Sequence, residues 1–262
     1  MTPLLEVSNL RVSFPGPAGP VSPVDGVGFA VRRGEMLALV GESGCGKSLS
    51  CLAILGLIPP PGRIAATSRI LLDGTNLLEL DPEGLRQVRG RRVGMVFQDP
   101  TTSLNPVFTI GRQLEEAIRT HAPAPRQLIR DRATALLAEV GLPDPAGGLD
   151  AYPHELSGGQ RQRVMIALAL SGEPDLLLAD EPTSALDVTV QAQILTLLDR
   201  LRATRGMGVI LVTHDLGVVA GRADRVTVMY AGQVAEEAPT ARLFADPRHP
   251  YTRGLFRSIP HL

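Results

Sequence analysis

Residues 36–57 read MLALVGESGCGKSLSCLAILGL. Met36–Val40 is a short apolar run of strand length, Gly41–Lys47 is a glycine-rich loop, and the apolar pattern from Ser48 to Leu57 predicts a helix that stops before Pro59-Pro60-Pro61. The spacing Gly41-x-x-x-x-Gly46-Lys47-Ser48 is G-x-x-x-x-G-K-[ST], set between a strand and a helix as that motif requires. Its glycines let backbone N–H groups close around phosphate oxygens at a helix N-terminus, which favours an anion. Gly41, Ser43, Gly44, Cys45, Gly46, Lys47, Ser48 and Leu49 are the expected phosphate contacts, with Lys47 on the outer phosphates and the Ser48 hydroxyl on Mg²⁺. Lys47 is also the single lysine among 26 basic side chains, the other 25 being arginine. A planar guanidinium cannot replace a compact ammonium among phosphate oxygens without moving the loop.

Working outward, 4–14 and 27–32 alternate like half-buried strands around the loop PGPAGPVSP at 15–23. Further strands are predicted at 69–72 and 92–97. Between Gln98 and Leu156 the pattern turns helical, at 110–120 and 126–140. Strand and helix then alternate again, with strands at 176–179, 208–212 and 226–230 and helices at 188–202 and 215–222. The fold class is therefore α/β: a phosphate-loop core with a mostly parallel sheet, an N-terminal antiparallel β subdomain and an inserted helical subdomain. The expected division is 1–97 with 157–238 for the core, 98–156 for the insertion, and 239–262 as a short tail.

Composition narrows the function classes. Net charge is −1, aromatics are 3% and tryptophan is absent, so neither the basic footprint nor the stacking surfaces of a nucleic-acid binder are present. No apolar run approaches the ~20 residues that cross a bilayer, and MTPLLEVSNL has no leader pattern, so the expectation is a cytosolic protein with at most a peripheral membrane role. Cys45 and Cys51 are read as packing residues in a reducing compartment. The helix N-terminus beside Cys45 leaves a redox role as the alternative.

Four further positions carry chemistry. Leu176–Glu181 (LLLADE) ends a buried strand in two carboxylates, and open parallel sheets place ligands beyond such strand ends. Asp180 suits Mg²⁺ and Glu181 suits polarising the water that attacks a terminal phosphate. His214 follows the apolar run Val209–Val212, as either a structural histidine or a terminal-phosphate contact. Gln98 ends RVGMVFQ where the helical stretch begins, and is either a loop-ordering amide or a contact to Mg²⁺ and its water. Residues 156–163, LSGGQRQR, form a second helix start, with Ser157 as N-cap and two glycines baring the backbone.

Taken in order, the loop at 41–48, Gln98, LSGGQ at 156–160, the acidic strand end at 176–181, SALD at 184–187 and His214 resemble the ATP-binding subunits of ABC transporters over almost the whole chain. The resemblance implies ATP and Mg²⁺ as ligands, with Ser48, Gln98 and Asp180 toward the metal and Glu181, His214 and Gln98 in catalysis. It implies that two such subunits meet head to tail, so that Ser157, Gly158, Gly159 and Gln160 face a partner's ATP while Ser184, Ala185, Leu186 and Asp187 couple the two sites. It places an aromatic before the loop on adenine, and Phe14 is the candidate, with a core position in the first sheet as the alternative.

FQDPTTSLNP at 97–106 and HPYTRGL at 249–255 are similar to the branch that imports oligopeptides, dipeptides and nickel. That branch implies two permeases, a second related or identical ATPase and an extracytoplasmic solute-binding protein, at the cytoplasmic face of the membrane. The absence of a tail cysteine cluster favours a shorter, nickel-type relative over a peptide-type one. The competing readings are a soluble ABC-type ATPase acting as a mechanical clamp, and a motor for another small solute.

Overall fold

The structure is a computed structural model that describes residues 2–99, 103–184 and 186–257. Its strands run in chain order as β1 (Leu5–Phe14), β2 (Val21–Val31), β3 (Met36–Val40), β4 (Arg63–Ile64), β5 (Arg69–Leu72), β6 (Thr75–Asn76), β7 (Val93–Val96), β8 (Leu176–Asp180), β9 (Gly208–Thr213), β10 (Arg225–Tyr230) and β11 (Gln233–Pro239). The chain divides into two compact units, 1–86 with 205–262, and 87–204.

The first unit holds two kinds of sheet. β2, β1, β5 and β6 pair antiparallel in that order, with β4 also on β1. β1 and β2 are half-buried, as alternation demands: Leu5, Val7, Leu10 and Val12 are inside, facing Val24, Val27, Phe29 and Val31. The other sheet contains β3 flanked by β9 and β10, all parallel, with β11 antiparallel at the edge of β10. Every residue of β3 and β9 is buried, which explains why both read as continuous apolar runs rather than alternating ones. Arg225 links strands of both sheets, donating to the Ala30 carbonyl at 3.2 Å and to the buried Glu35 carboxylate at 2.9 Å. That pairing answers the charge burial of Glu35.

β2 starts at Val21, inside the stretch expected to be loop. Pro23 and Gly26 break the alternation there, yet β2 is an edge strand, where a missing N–H costs no ladder bond. The helix after the phosphate loop runs Lys47–Ile54, shorter than expected, because Gly56 turns left-handed at φ +61°. The expected helix at 215–222 spans only Leu216–Val219, closed by Gly221 at φ +75°. The expected tail contains the last residue of β11 and two helices, Thr240–Ala245 and Pro250–Arg257.

The second unit packs helices Ile110–His121, Arg126–Glu139 and Gly158–Leu170 around Ile110, Leu114, Ile118, Ile129, Ala133 and Leu137, with the parallel pair β7 and β8. Ile110, Leu114 and Ile118 recur every fourth residue, the stripe a half-buried helix needs. The helix Val188–Arg205 buries Ile194, Leu195, Leu197, Leu198 and Leu201 and runs three residues past its expected end. The expected insertion 98–156 lies wholly in this unit. Among the described residues, no helix is long and apolar enough to cross a membrane.

Candidate functional site

In the first unit the phosphate loop leaves the middle of three parallel strands. Val40 is in register with Thr213 of β9 and Val228 of β10, so Gly41, His214 and Met229 emerge at one sheet edge. Parallel strands direct their carboxyl ends to the same side, which is where ligands of such sheets bind. His214 is exposed at that edge.

Two glycines of the loop are required by close backbone approach. A Cβ on Gly41 would lie 2.2 Å from the Met229 carbonyl oxygen, and one on Gly46 2.4 Å from that of Pro23, while Gly46 also has φ +102°. Lys47 is 5% exposed, and its ammonium donates to the carbonyls of Gly41 at 2.7 Å and Glu42 at 2.9 Å. A buried ammonium so held is a fixed positive charge inside a backbone cradle at a helix start. Ser48 and Leu49 follow on the first turn of that helix, half-buried. Ser43 and Gly44 are exposed on the crest of the loop.

Cys45 is buried beneath the loop, and its Sγ would sit 2.8 Å from a Cβ on Gly41. Burial pushes its thiol up, against the lowering effect of the Lys47 charge. Burial thus disfavours the thiolate, which supports the reading of Cys45 as a packing residue. Phe14 ends β1, half-buried, with its ring edge against Gly62, where a Cβ would lie 2.6 Å from Cε1.

In the second unit Val96 of β7 is in register with Ala179 of β8. Gln98 and Glu181 therefore leave adjacent strands two residues later, and Gln98 Nε2 donates to Glu181 Oε2 at 3.1 Å. Asp180 is 5% exposed at the strand end. Glu181 has φ +44°, a left-handed conformation that costs a non-glycine residue on the order of 1 kcal/mol or more. The turn is closed by Ser184 N–H donating to the Glu181 carbonyl at 3.3 Å.

The second predicted helix start is present at Ser157. Ser157 caps the helix Gly158–Leu170: its Oγ accepts from Gln160 N–H at 3.3 Å, and Gln160 Oε1 accepts from Ser157 N–H at 2.8 Å. This reciprocal capping box uses both polar side chains and leaves the Gly158 and Gly159 N–H groups without an intrahelical acceptor. Gly159 has a second reason to be glycine, since a Cβ there would lie 2.6 Å from Val190 Cγ1. Asp187 caps the following helix by accepting from Val190 N–H at 2.9 Å, and Leu186 flanks Gly158. Ala185 lies outside the described residues.

Sequence reasoning missed one contact of the phosphate loop. The Glu42 N–H donates to the Tyr251 hydroxyl at 3.3 Å, from a tail whose contacts have no periodic signature. The fit of the site to ATP rests on the cradle itself, where glycines at 41 and 46 are sterically required and a buried ammonium is centred. Hard oxygen donors of the kind Mg²⁺ takes occur in each unit by itself, Ser48 in the first and Gln98 and Asp180 in the second.

The ABC transporter family pattern matches residues 24–184, and a pattern described as the oligopeptide/dipeptide transporter C-terminal region matches 235–262. A dipeptide transport ATP-binding protein of Haemophilus influenzae is 51% identical over 257 residues, covering 98% of this chain and 78% of that protein. An oligopeptide transport ATP-binding protein of Bacillus subtilis is 49% identical over 262 residues, covering 100% and 73%. Among solved structures, a dimeric ATP-binding cassette in a post-hydrolysis state with ADP and Pi has a TM-score of 0.79 and 30% identity, over 90% of this chain and 98% of that one. The structure of cbiO1 from Clostridium perfringens, part of the ABC transporter complex cbiONQ, has a TM-score of 0.79 and 28% identity, over 99% and 97%. With the loop, the acidic strand end and the capped signature helix all in place, this chain belongs to the ABC transporter family as an ATP-binding, ATP-hydrolysing subunit similar to those of dipeptide and oligopeptide transporters.

Proposed function

We propose that the chain powers the uptake of short peptides by hydrolysing ATP, and that the observation carrying the hydrolysis is the pairing of Gln98 with Glu181 at 3.1 Å, beside a buried Asp180. A carboxylate held by an amide can orient a water for in-line attack on the terminal phosphate, the step that separates turnover from binding. Gly41–Leu49 binds the ATP phosphates, with Lys47 as the fixed charge, and Phe14 offers a half-exposed ring to adenine. His214, at the same sheet edge as the loop, contacts the terminal phosphate. Ser48, Gln98 and Asp180 would hold Mg²⁺, which when bound neutralises charge on the phosphates.

The signature residues Ser157, Gly158, Gly159 and Gln160 cap the ATP of a second, identical or related ATPase, and Ser184–Asp187 couples the two sites. The Gly158 and Gly159 N–H groups support this, because they are donors without an intrahelical acceptor. Closure over ATP acts on two permeases at the cytoplasmic face of the membrane, where the chain is a peripheral subunit receiving solute through an extracytoplasmic binding protein. Peptides are favoured over nickel because the relatives named above are peptide-type and similar along this chain's length. Tagged Glu181→Gln trapped with ATP and Mg²⁺ in mildly solubilised native membranes tests the assembly. Recovery with two permeases and a second ATPase is expected; recovery as a soluble homodimer would replace the importer with a clamp.

A further inference from the structure

The carboxyl-terminal segment that marks the branch is built onto the phosphate loop. Its helix, Pro250–Arg257, is fixed at its start by Glu236 of β11, whose Oε1 and Oε2 accept from the backbone N–H groups of Arg248 at 2.9 Å and His249 at 3.0 Å. Thr252 is fully buried, and Phe256 meets Phe244 edge-on with ring centroids 4.8 Å apart. These contacts leave Tyr251 on the face toward β10. Its ring lies 4.3 Å from that of Tyr230, at the end of the strand whose Met229 carbonyl bounds Gly41. Burial pushes the Tyr251 phenol up, so it stays a neutral hydroxyl.

The hydroxyl touches one peptide of the loop, and that peptide is used at both ends. The Glu42 N–H donates to Tyr251 Oη at 3.3 Å, and the carbonyl of the same Gly41–Glu42 peptide, that of Gly41, accepts from Lys47 Nζ at 2.7 Å. Rotation of this peptide would move the acceptor that positions the ammonium. We propose that Tyr251 is a positioning residue of the phosphate loop, through which the carboxyl-terminal helix sets ATP affinity. The proposal rests on the reading that Gly41–Ser48 holds the ATP phosphates.

The test uses the full chain and two variants, with ATP affinity measured by displacement of a fluorescent ATP analogue. Tyr251→Phe keeps the ring against Tyr230 and removes only the hydroxyl. It is expected to weaken ATP binding about two- to tenfold, the equivalent of one net hydrogen bond, with the nucleotide-free melting temperature unchanged. Hydrogen exchange of the peptide spanning 41–47 is expected to quicken while the strands keep their protection. Wild-type affinity in Tyr251→Phe would overturn the proposal, as would a loss of affinity matched by general loosening of the fold. Lys47→Ala separates the two levels: if it binds ATP like wild type, the phosphate-loop reading fails, whatever Tyr251 does.

Discussion

Glu181 combines three constraints in one residue: a left-handed backbone at φ +44°, a side chain held by Gln98, and a place directly after a buried carboxylate. Backbone strain of this kind persists where surrounding structure over-determines it, and it clusters where a side chain must be aimed. Glu181→Gln keeps the size and one acceptor oxygen but removes the proposed base. It is expected to bind ATP with near-normal affinity and to lose about 10²- to 10⁴-fold in turnover, measured by phosphate release in the assembled complex. Near-normal hydrolysis would move the catalytic role elsewhere. The pair of acids was legible from LLLADE, because a short continuous apolar run ending in charge fits a buried strand of a parallel sheet with acids at its carboxyl end. The Gln98 contact was not, because it depends on the register of β7 against β8.

Elements show which glycines serve packing and which serve ligands. LSGGQ reads as an anion site, yet Gly159 also admits the side chain of Val190 from the next helix. Gly159→Ala is expected to lower stability by about 1–3 kcal/mol in denaturant unfolding, since a β-branched side chain cannot swing clear. Val190→Ala added to it should restore most of that loss by opening the space. Failure of the rescue would mean that the glycine is needed for the helix start alone. The tail helix makes a second case, through Glu236. Burial raises its carboxyl, but the Arg248 and His249 N–H groups outweigh this and leave it below the ordinary range. A carboxyl lowered in the folded state stabilises above its unfolded value, and that contribution fades as pH falls through the lower, folded value. Glu236→Gln should therefore be less stable than wild type at pH 7, and denaturant unfolding below pH 4 should show the gap closing. An equal gap at both pH values would remove the charge from the explanation.

The whole molecule carries both halves of an ATP site's chemistry, a phosphate loop and a signature helix start, and the proposed pairing uses each half with a partner's complement. Hydrolysis per chain is then expected to be low when dilute and to rise with concentration, because the active species is a dimer. A specific rate independent of concentration over a hundredfold dilution would show that one chain suffices.

The motifs, the α/β class and the helical insertion were set by the sequence alone, since a glycine loop between a strand and a helix, and a change of apolar period, are local properties of consecutive residues. The short helices at 47–54 and 216–219 end where Gly56 and Gly221 turn left-handed, a choice open to glycine but not compelled by it. The start of β2 at Val21, the bond between Gln98 and Glu181, and the seat of Tyr251 on the Glu42 peptide were decided only by tertiary structure. The last two join residues 83 and 209 positions apart in the chain, and such contacts follow from strand order and register, which no local pattern contains.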